Sequence, residues 1–194
     1  MFTGIIKKTP KVLFAEKRGK SRIVHIEKPR GMKFMLGESV SINGVCSTVR
    51  AQGATYLEFE YIPATLNTTT AGSLVQGDVV NFERSLRMIE AVDGHFVQGH
   101  IDARGKIVRV HDVGPARTLT IQVPLSALRL IAPKGSVAVH GVSLTVQAKQ
   151  KRTFSISLVS YSRKHTNLGQ LRRGDYVNIE TDMIARYLAE LRGK

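Results

Sequence analysis

Tryptophan is missing altogether from this 194-residue chain, and aromatic residues of every kind make up only 6% of it. Surfaces that stack the bases of single-stranded nucleic acid interleave aromatic rings with cations, so that class of function lacks its usual carrier. A lone cysteine, Cys46, excludes an internal disulfide and suits a reducing, cytoplasmic setting. Neither a CxxC nor an HxxxH pattern occurs, and the expectation is no metal site. No apolar run approaches the ~20 residues that span a bilayer. The opening Met-Phe-Thr-Gly-Ile-Ile also lacks the basic, then long apolar, pattern of a signal peptide. Acidic residues are scarce: 15 Asp and Glu stand against 29 Lys and Arg, a formal net charge of +14. Such a charge attracts polyanions. The cations are scattered, however (Lys7, Lys8, Lys17, Arg18, Lys149, Lys151, Arg152, Arg172, Arg173), which reads as a solvated basic surface with no nucleic-acid or membrane partner.

What the chain does contain is itself, twice. "INGVCSTV" at 42–49 returns as "VHGVSLTV" at 139–146. Gly44 and Gly141 are 97 positions apart, as are Cys46 and Ser143, Thr48 and Thr145, Gly77 and Gly174, Asp78 and Asp175, and Glu83 and Glu180. Nearer the starts, "FTGII" at 2–6 pairs loosely with "VQGHI" at 97–101, now 95 positions apart. Two copies are too few for a solenoid. They predict two similar domains, 1–94 and 95–180, followed by a C-terminal unit, 181–194.

Each copy reads as short strands. "RIVHIEK", "SVSINGV", "STVRAQ", "TYLEFEYI" and "DVVNFERSL" are β-branched or aromatic runs separated by Asn-Gly, Gln-Gly and Gln-Gly-Asp turn signals. Short strands so closely spaced suggest an all-β chain with one antiparallel barrel per copy, which removes exposed sheet edges. Only "TDMIARYLAELRGK" has a helical pattern, with Ile184, Tyr187, Leu188 and Leu191 on one stripe, Thr181 or Asp182 as cap and Gly193 at the end. An apolar stripe on an isolated helix needs a partner, and a second subunit is the natural one.

Taken together, "MFTGII", "GESVSINGVCSTV", "GHFVQGHID", "KGSVAVHGVSLTV" and the paired blocks "GDVVNFE" and "GDYVNIE" resemble the riboflavin synthase family across almost the whole chain. The resemblance implies two tandem Greek-key six-stranded β-barrels, each binding a lumazine, and a homotrimer held by bundled C-terminal helices. It implies a reaction without cofactor or metal: two molecules of 6,7-dimethyl-8-ribityllumazine exchange a four-carbon unit, giving riboflavin and a ribitylamino-pyrimidinedione. One substrate would sit on the first barrel of one subunit and its partner on the second barrel of a neighbour. Docking to lumazine synthase is a conceivable use of the surplus charge.

Such a reaction needs two rings held face to face, worth ~7–11 kcal/mol of barrier when well oriented, and proton transfer, typically worth ~10²–10⁴-fold. At the family's positions stand Cys46 and His100 as reactive groups of the first pocket, Ser143 and Thr145 of the second, and Asp182 after "VNIE". Thr48 shares a strand face with Cys46, and Ser39 is a weaker candidate of the same kind. Gly4, Ile5 and Ile6, mirrored by Gly99, His100 and Ile101, are expected to offer main-chain contacts, the glycines allowing close approach. The remaining expected contacts are Ser47, Glu60, Tyr61, Ile62, Pro63, Ala64 and Thr65 in the first copy. In the second they are Lys134, Leu144, Leu158, Val159, Ser160, Tyr161 and Ser162. His95, in the same segment as His100, carries less weight.

The chain departs from the family pattern at Ser47, where Leu is usual, at His140 in place of aspartate, at Asp93 in a Gly-Gly-His run, and through "VSYSRKHTNL", which loses a proline at Ser160 and a threonine at Ser162. These changes bear mostly on the second pocket. They keep open a carrier of the same fold that binds lumazine or flavin without catalysis, and a basic RNA-binding scaffold is a third, more distant reading.

Overall fold

The computed structural model describes residues 1–193; Lys194, the last residue of the expected helical unit, lies outside the described residues. Strands β8 (Ala103–Val113), β9 (Ala116–Gln122), β10 (Ser136–Val139), β11 (Val142–Lys149), β12 (Thr153–Leu158) and β13 (Tyr176–Thr181) close into one antiparallel barrel in the order β10-β11-β12-β9-β8-β13. Alternation drives the closure. In β12, Phe154, Ile156 and Leu158 are buried while the residues between them are half-exposed. They meet Ile107, Leu119, Ile121, Val137, Val146, Val177 and Ile179 in a single core. Each such side chain contributes ~1.5–3 kcal/mol on leaving water.

The first half repeats the plan with β1 (Val12–Arg18), β2 (Ser21–Glu27), β3 (Ser39–Ile42), β4 (Val45–Thr48), β5 (Ala51–Gln52), β6 (Tyr56–Tyr61) and β7 (Phe82–Arg84). Here the continuous ladders form two sheets, β1-β2-β6-β5 and β4-β3-β7. The counterpart of β11 is broken at Val49 and Arg50 into β4 and β5. The seam between β1 and β7 is carried by isolated bridges, Lys8 to Phe82 and Lys11 to Val79. Proline explains the second seam: Pro10 has no N–H to extend the ladder, although its carbonyl still accepts from Val80 N at 3.0 Å. The ring order is the same and encloses its own core around Val24, Ile26, Leu57, Phe59 and Phe82.

Helix is more frequent than the sequence pattern suggests. After β6 and β12 come two matched turns of helix, α1 (Pro63–Thr68) and α3 (Ser160–His165), and α2 (Leu125–Arg129) follows β9. Pro63 opens α1 with its φ already set for a helix. In α3 the last turn carries Arg163, Lys164 and His165, which complement the helix dipole. The expected C-terminal helix is α4 (Met183–Arg192), with Asp182 accepting from Ile184 N at 3.0 Å and Gly193 as C-cap. Its stripe of Ile184, Tyr187, Leu188 and Leu191 joins neither core among the described residues, each being 55–69% exposed.

A polar network joins the halves about an approximate twofold relationship. Asn81 N donates to Asn43 Oδ1 at 2.8 Å, and its counterpart Asn178 N donates to His140 Nδ1 at 3.1 Å. Asn81 Nδ2 donates to the His140 carbonyl, and Asn178 Nδ2 to the Asn43 carbonyl. Gly44 and Gly141, both at positive φ, lie back to back, and a Cβ on either would come within 2.7 Å of the other's backbone nitrogen. His140, expected from sequence to affect the second pocket, is therefore a buried seam residue. Burial pushes its pKa down to about 4, so the ring is neutral and its Nδ1 is free to accept.

Candidate active site

The two segments flanking the barrels cross, and each binds the opposite half. Phe2 pairs with Val97 in an antiparallel bridge. Beyond it, Ser143 N on β11 donates to the Gly4 carbonyl at 2.8 Å, and Cys46 N on β4 donates to the Gly99 carbonyl at 2.9 Å. Both glycines sit at positive φ. A Cβ on Gly4 would come within 2.6 Å of Ser143 Cβ, and one on Gly99 within 2.7 Å of Cys46 Cβ. No other residue type fits this contact.

Buried glutamates fix the crossing from behind. Glu83 accepts from Thr3 N, Thr3 Oγ1 and Gly4 N at 2.8, 2.7 and 3.0 Å. Glu180 accepts from Gln98 N and Gly99 N at 2.7 and 2.8 Å. Burial raises the pKa of both carboxyls, against the pull of those same hydrogen bonds. Neither stood among the site residues expected from the sequence. Their signal was the repeated final glutamate of the "GD-V-N-E" blocks, which marks a position where both copies need the same acceptor.

The surface around the Cys46–Gly99 contact is the first candidate cleft. Cys46 is half-buried and Thr48 exposed on one face of β4, with exposed His100 and half-buried Ile101 beside them. Ile62, Pro63 and Ala64 are exposed at the start of α1, and Thr65 half-buried. The second cleft repeats this around Ser143–Gly4, with exposed Thr145, half-buried Ile5 and Ile6, and Val159, Ser160, Tyr161 and Ser162 at the start of α3. Ser39 pairs with Thr48 and Ser136 with Thr145 across the neighbouring strands.

Other expected contact residues are placed differently within the barrels. Ser47 and Tyr61 are buried inside the first barrel, bonded Oγ to OH at 2.9 Å. Strand alternation forces this, because Ser47 lies between the outward-facing Cys46 and Thr48. Leu158 is fully buried in the second core and Leu144 packs against it. Glu60, on the outer face of β6, pairs with Arg50. Lys134, at φ 65, sits exposed in the turn before β10, its N–H on the Val146 carbonyl.

A titratable side chain lies close to Ser143. His95 Nδ1 lies 2.7 Å from Ser143 Oγ. Burial lowers the His95 pKa, the nearby Asp182 carboxylate opposes the shift, and Nε2 has no partner. A deeper cavity of about 630 Å³ opens beside Thr3, Lys7, Glu83, Arg87 and Asp93 and contains neither Cys46 nor Ser143. Among the described residues no cluster of three or more potential ligands suits a metal, and no helix is long and apolar enough to cross a membrane.

The lumazine binding domain model matches twice, over residues 3–85 and 98–182. The chain is 37% identical to the riboflavin synthase of Brucella abortus (strain 2308), covering 98% of both proteins. It is 35% identical to that of Mycobacterium tuberculosis (strain ATCC 25618 / H37Rv), again over 98% of each, and 32% identical to that of Actinobacillus pleuropneumoniae, over 98% of this chain and 89% of the relative. Solved structures of LumP complexed with 6,7-dimethyl-8-(1'-D-ribityl) lumazine and with riboflavin share the fold at TM-scores of 0.85 and 0.87, with 22% and 23% identity, covering 93% of this chain and 99% of theirs. With two lumazine-binding repeats and full-length likeness to these synthases, the chain belongs to the riboflavin synthase family.

Proposed function

We propose that the chain is a transferase that moves a four-carbon unit between two molecules of 6,7-dimethyl-8-ribityllumazine, one held in each kind of cleft. The products, riboflavin and a ribitylamino-pyrimidinedione, balance the two substrates atom for atom. The supporting observation is the pair of matched but unequal strand–glycine contacts, Cys46–Gly99 and Ser143–Gly4. Similar ring systems need similar cradles, and donor and acceptor roles need them to differ.

In this reading Gly4 and Gly99 present main chain to a pyrimidine edge, and α1 and α3 flank the ribityl chains through Thr65 and Ser162. One lumazine must lose a proton from its acidic 7-methyl group while the other accepts a nucleophile. His100 and Cys46 serve the first cleft. Ser143, held by His95 and backed by Asp182, serves the second, with Thr48 and Thr145 supplying hydroxyls. The units 1–94 and 95–180 then act as paired binding domains, and 181–194 as the assembly element. The uncovered stripe of α4 supports a homotrimer in which the first cleft of one subunit faces the second of its neighbour. Cytoplasmic residence fits the lone thiol, and a pull-down with lumazine synthase tests whether the charge serves docking.

Incubation of the purified protein with the lumazine alone should generate riboflavin absorbance and fluorescence at a lumazine-to-riboflavin ratio of two to one. A non-catalytic carrier, the reading favoured by the LumP likeness, would bind the lumazine and leave it unchanged.

A further inference from the structure

We infer that the outer wall of the second barrel carries an anion site for phosphate groups, separate from both clefts. Arg104, Lys106 and Arg152 line a cavity of about 530 Å³ with Gln122, Val123, Pro124, Leu125 and Tyr176, a size that suits a small organic ligand. No carboxylate lines it, and among the described residues none of the three cations forms an ion pair. The other sizeable cavities lack this bias. The one beside Lys7 and Arg87 also holds Glu83, Glu90 and Asp93, and the inter-barrel groove holds Asp78 and Asp175. Two of the cations are also held in place: Arg104 and Lys106 share the Tyr176 ring, at 6.0 and 5.7 Å from its centroid. Cations gathered in one concavity with no counter-charge repel each other, and a multiply charged anion relieves that while gaining charge-assisted hydrogen bonds.

The duplication shows that the barrel does not need this cluster. Lys11 bridges Val79 as Lys106 pairs with Tyr176, so Val79 stands where the ring is in the second half. By the same offsets Thr9 replaces Arg104 and Thr55 replaces Arg152. The first barrel folds with neutral residues at those places. The half-exposed Leu125 and Tyr176 at the rim leave room for whatever carries the phosphates.

Isothermal titration with inorganic tripolyphosphate, and separately with ATP, tests the site. Both should bind, and Arg104→Ala/Arg152→Ala should weaken both at least ~tenfold. Lys17→Ala/Lys20→Ala, which removes two charges from the distant β1–β2 hairpin, should leave affinity unchanged. Equal losses in the two double variants would reduce the effect to net charge and overturn the proposal. So would ATP binding with tripolyphosphate silent, or no binding by either. Riboflavin formation by Arg104→Ala/Arg152→Ala, measured alongside, should match the native rate, which keeps this test independent of the clefts.

Discussion

The amide of Cys46 donates to the carbonyl of Gly99 across the boundary between the two halves, and the Cα carbons are so close that a side chain on Gly99 would overlap Cys46 Cβ. Strand β4 and the segment leading into β8 are thereby locked together at the point where Cys46 meets the first cleft. Gly99→Ala should cost ~1–3 kcal/mol through overpacking and strain at positive φ. Activity should fall further than this stability loss explains. Thermal melts read beside lumazine turnover check it, and an active Gly99→Ala protein would show that the contact is dispensable.

In the second proposed cleft, His95 Nδ1 lies 2.7 Å from Ser143 Oγ. His95→Gln removes a titrating group and should lower kcat by roughly 10²-fold with little change in KM. Ser143→Ala should produce a similar loss, and the double variant little more than either alone, because the pair acts as a unit. Additive losses in steady-state kinetics would separate the two residues.

His140 titrates with a definite sign. Its folded pKa of about 4 lies below the ordinary ~6.5, so the unfolded chain binds more protons between those values. Stability is full above pH ~6.5 and is lost as pH falls toward 4, by on the order of 3 kcal/mol. His140→Asn restores the residue found at Asn43, which makes the equivalent bond. Denaturant melts across that range should show a flatter acid limb in His140→Asn. An unchanged limb would assign the acid sensitivity to other groups.

Much of this architecture was legible in the chain. The offset of 97 predicted matched barrels because Glu83 and Glu180, or Gly44 and Gly141, do equivalent work in each half. The period of two placed Cys46 and Thr48 together on the outer face of β4. The same period put Ser47 inside, which a family-based contact list obscured. The crossing of residues 2–6 over 97–101 was not legible, since pairing across the seam leaves no local pattern. Nor was the role of His140, whose partners Asn178 and Asn43 are distant in sequence. Helices α1 and α3 were missed because six residues are too few to show a helical period, although Pro63 at the first position was a usable sign.

Helix α4 exposes Ile184, Tyr187, Leu188 and Leu191 and is tied to the site through Arg186, which pairs with Asp102 and Glu180. In the proposed homotrimer, Ile184→Glu/Leu188→Glu should release monomers in sedimentation velocity and abolish riboflavin formation. The barrels should keep their circular dichroism, because the stripe contributes nothing to either core. An active monomer would refute a site shared between chains.

That sharing is open to complementation. Cys46→Ala/His100→Ala disables the first cleft and Ser143→Ala/His95→Ala the second, so each protein alone should be inactive. Co-expressed under different tags and purified as mixed assemblies, they should regain activity up to about a third of native, because every mixed cyclic trimer juxtaposes an intact first cleft with an intact second one at one of its three interfaces. Activity no higher than the sum of the separate variants would mean that the two clefts do not work across chains.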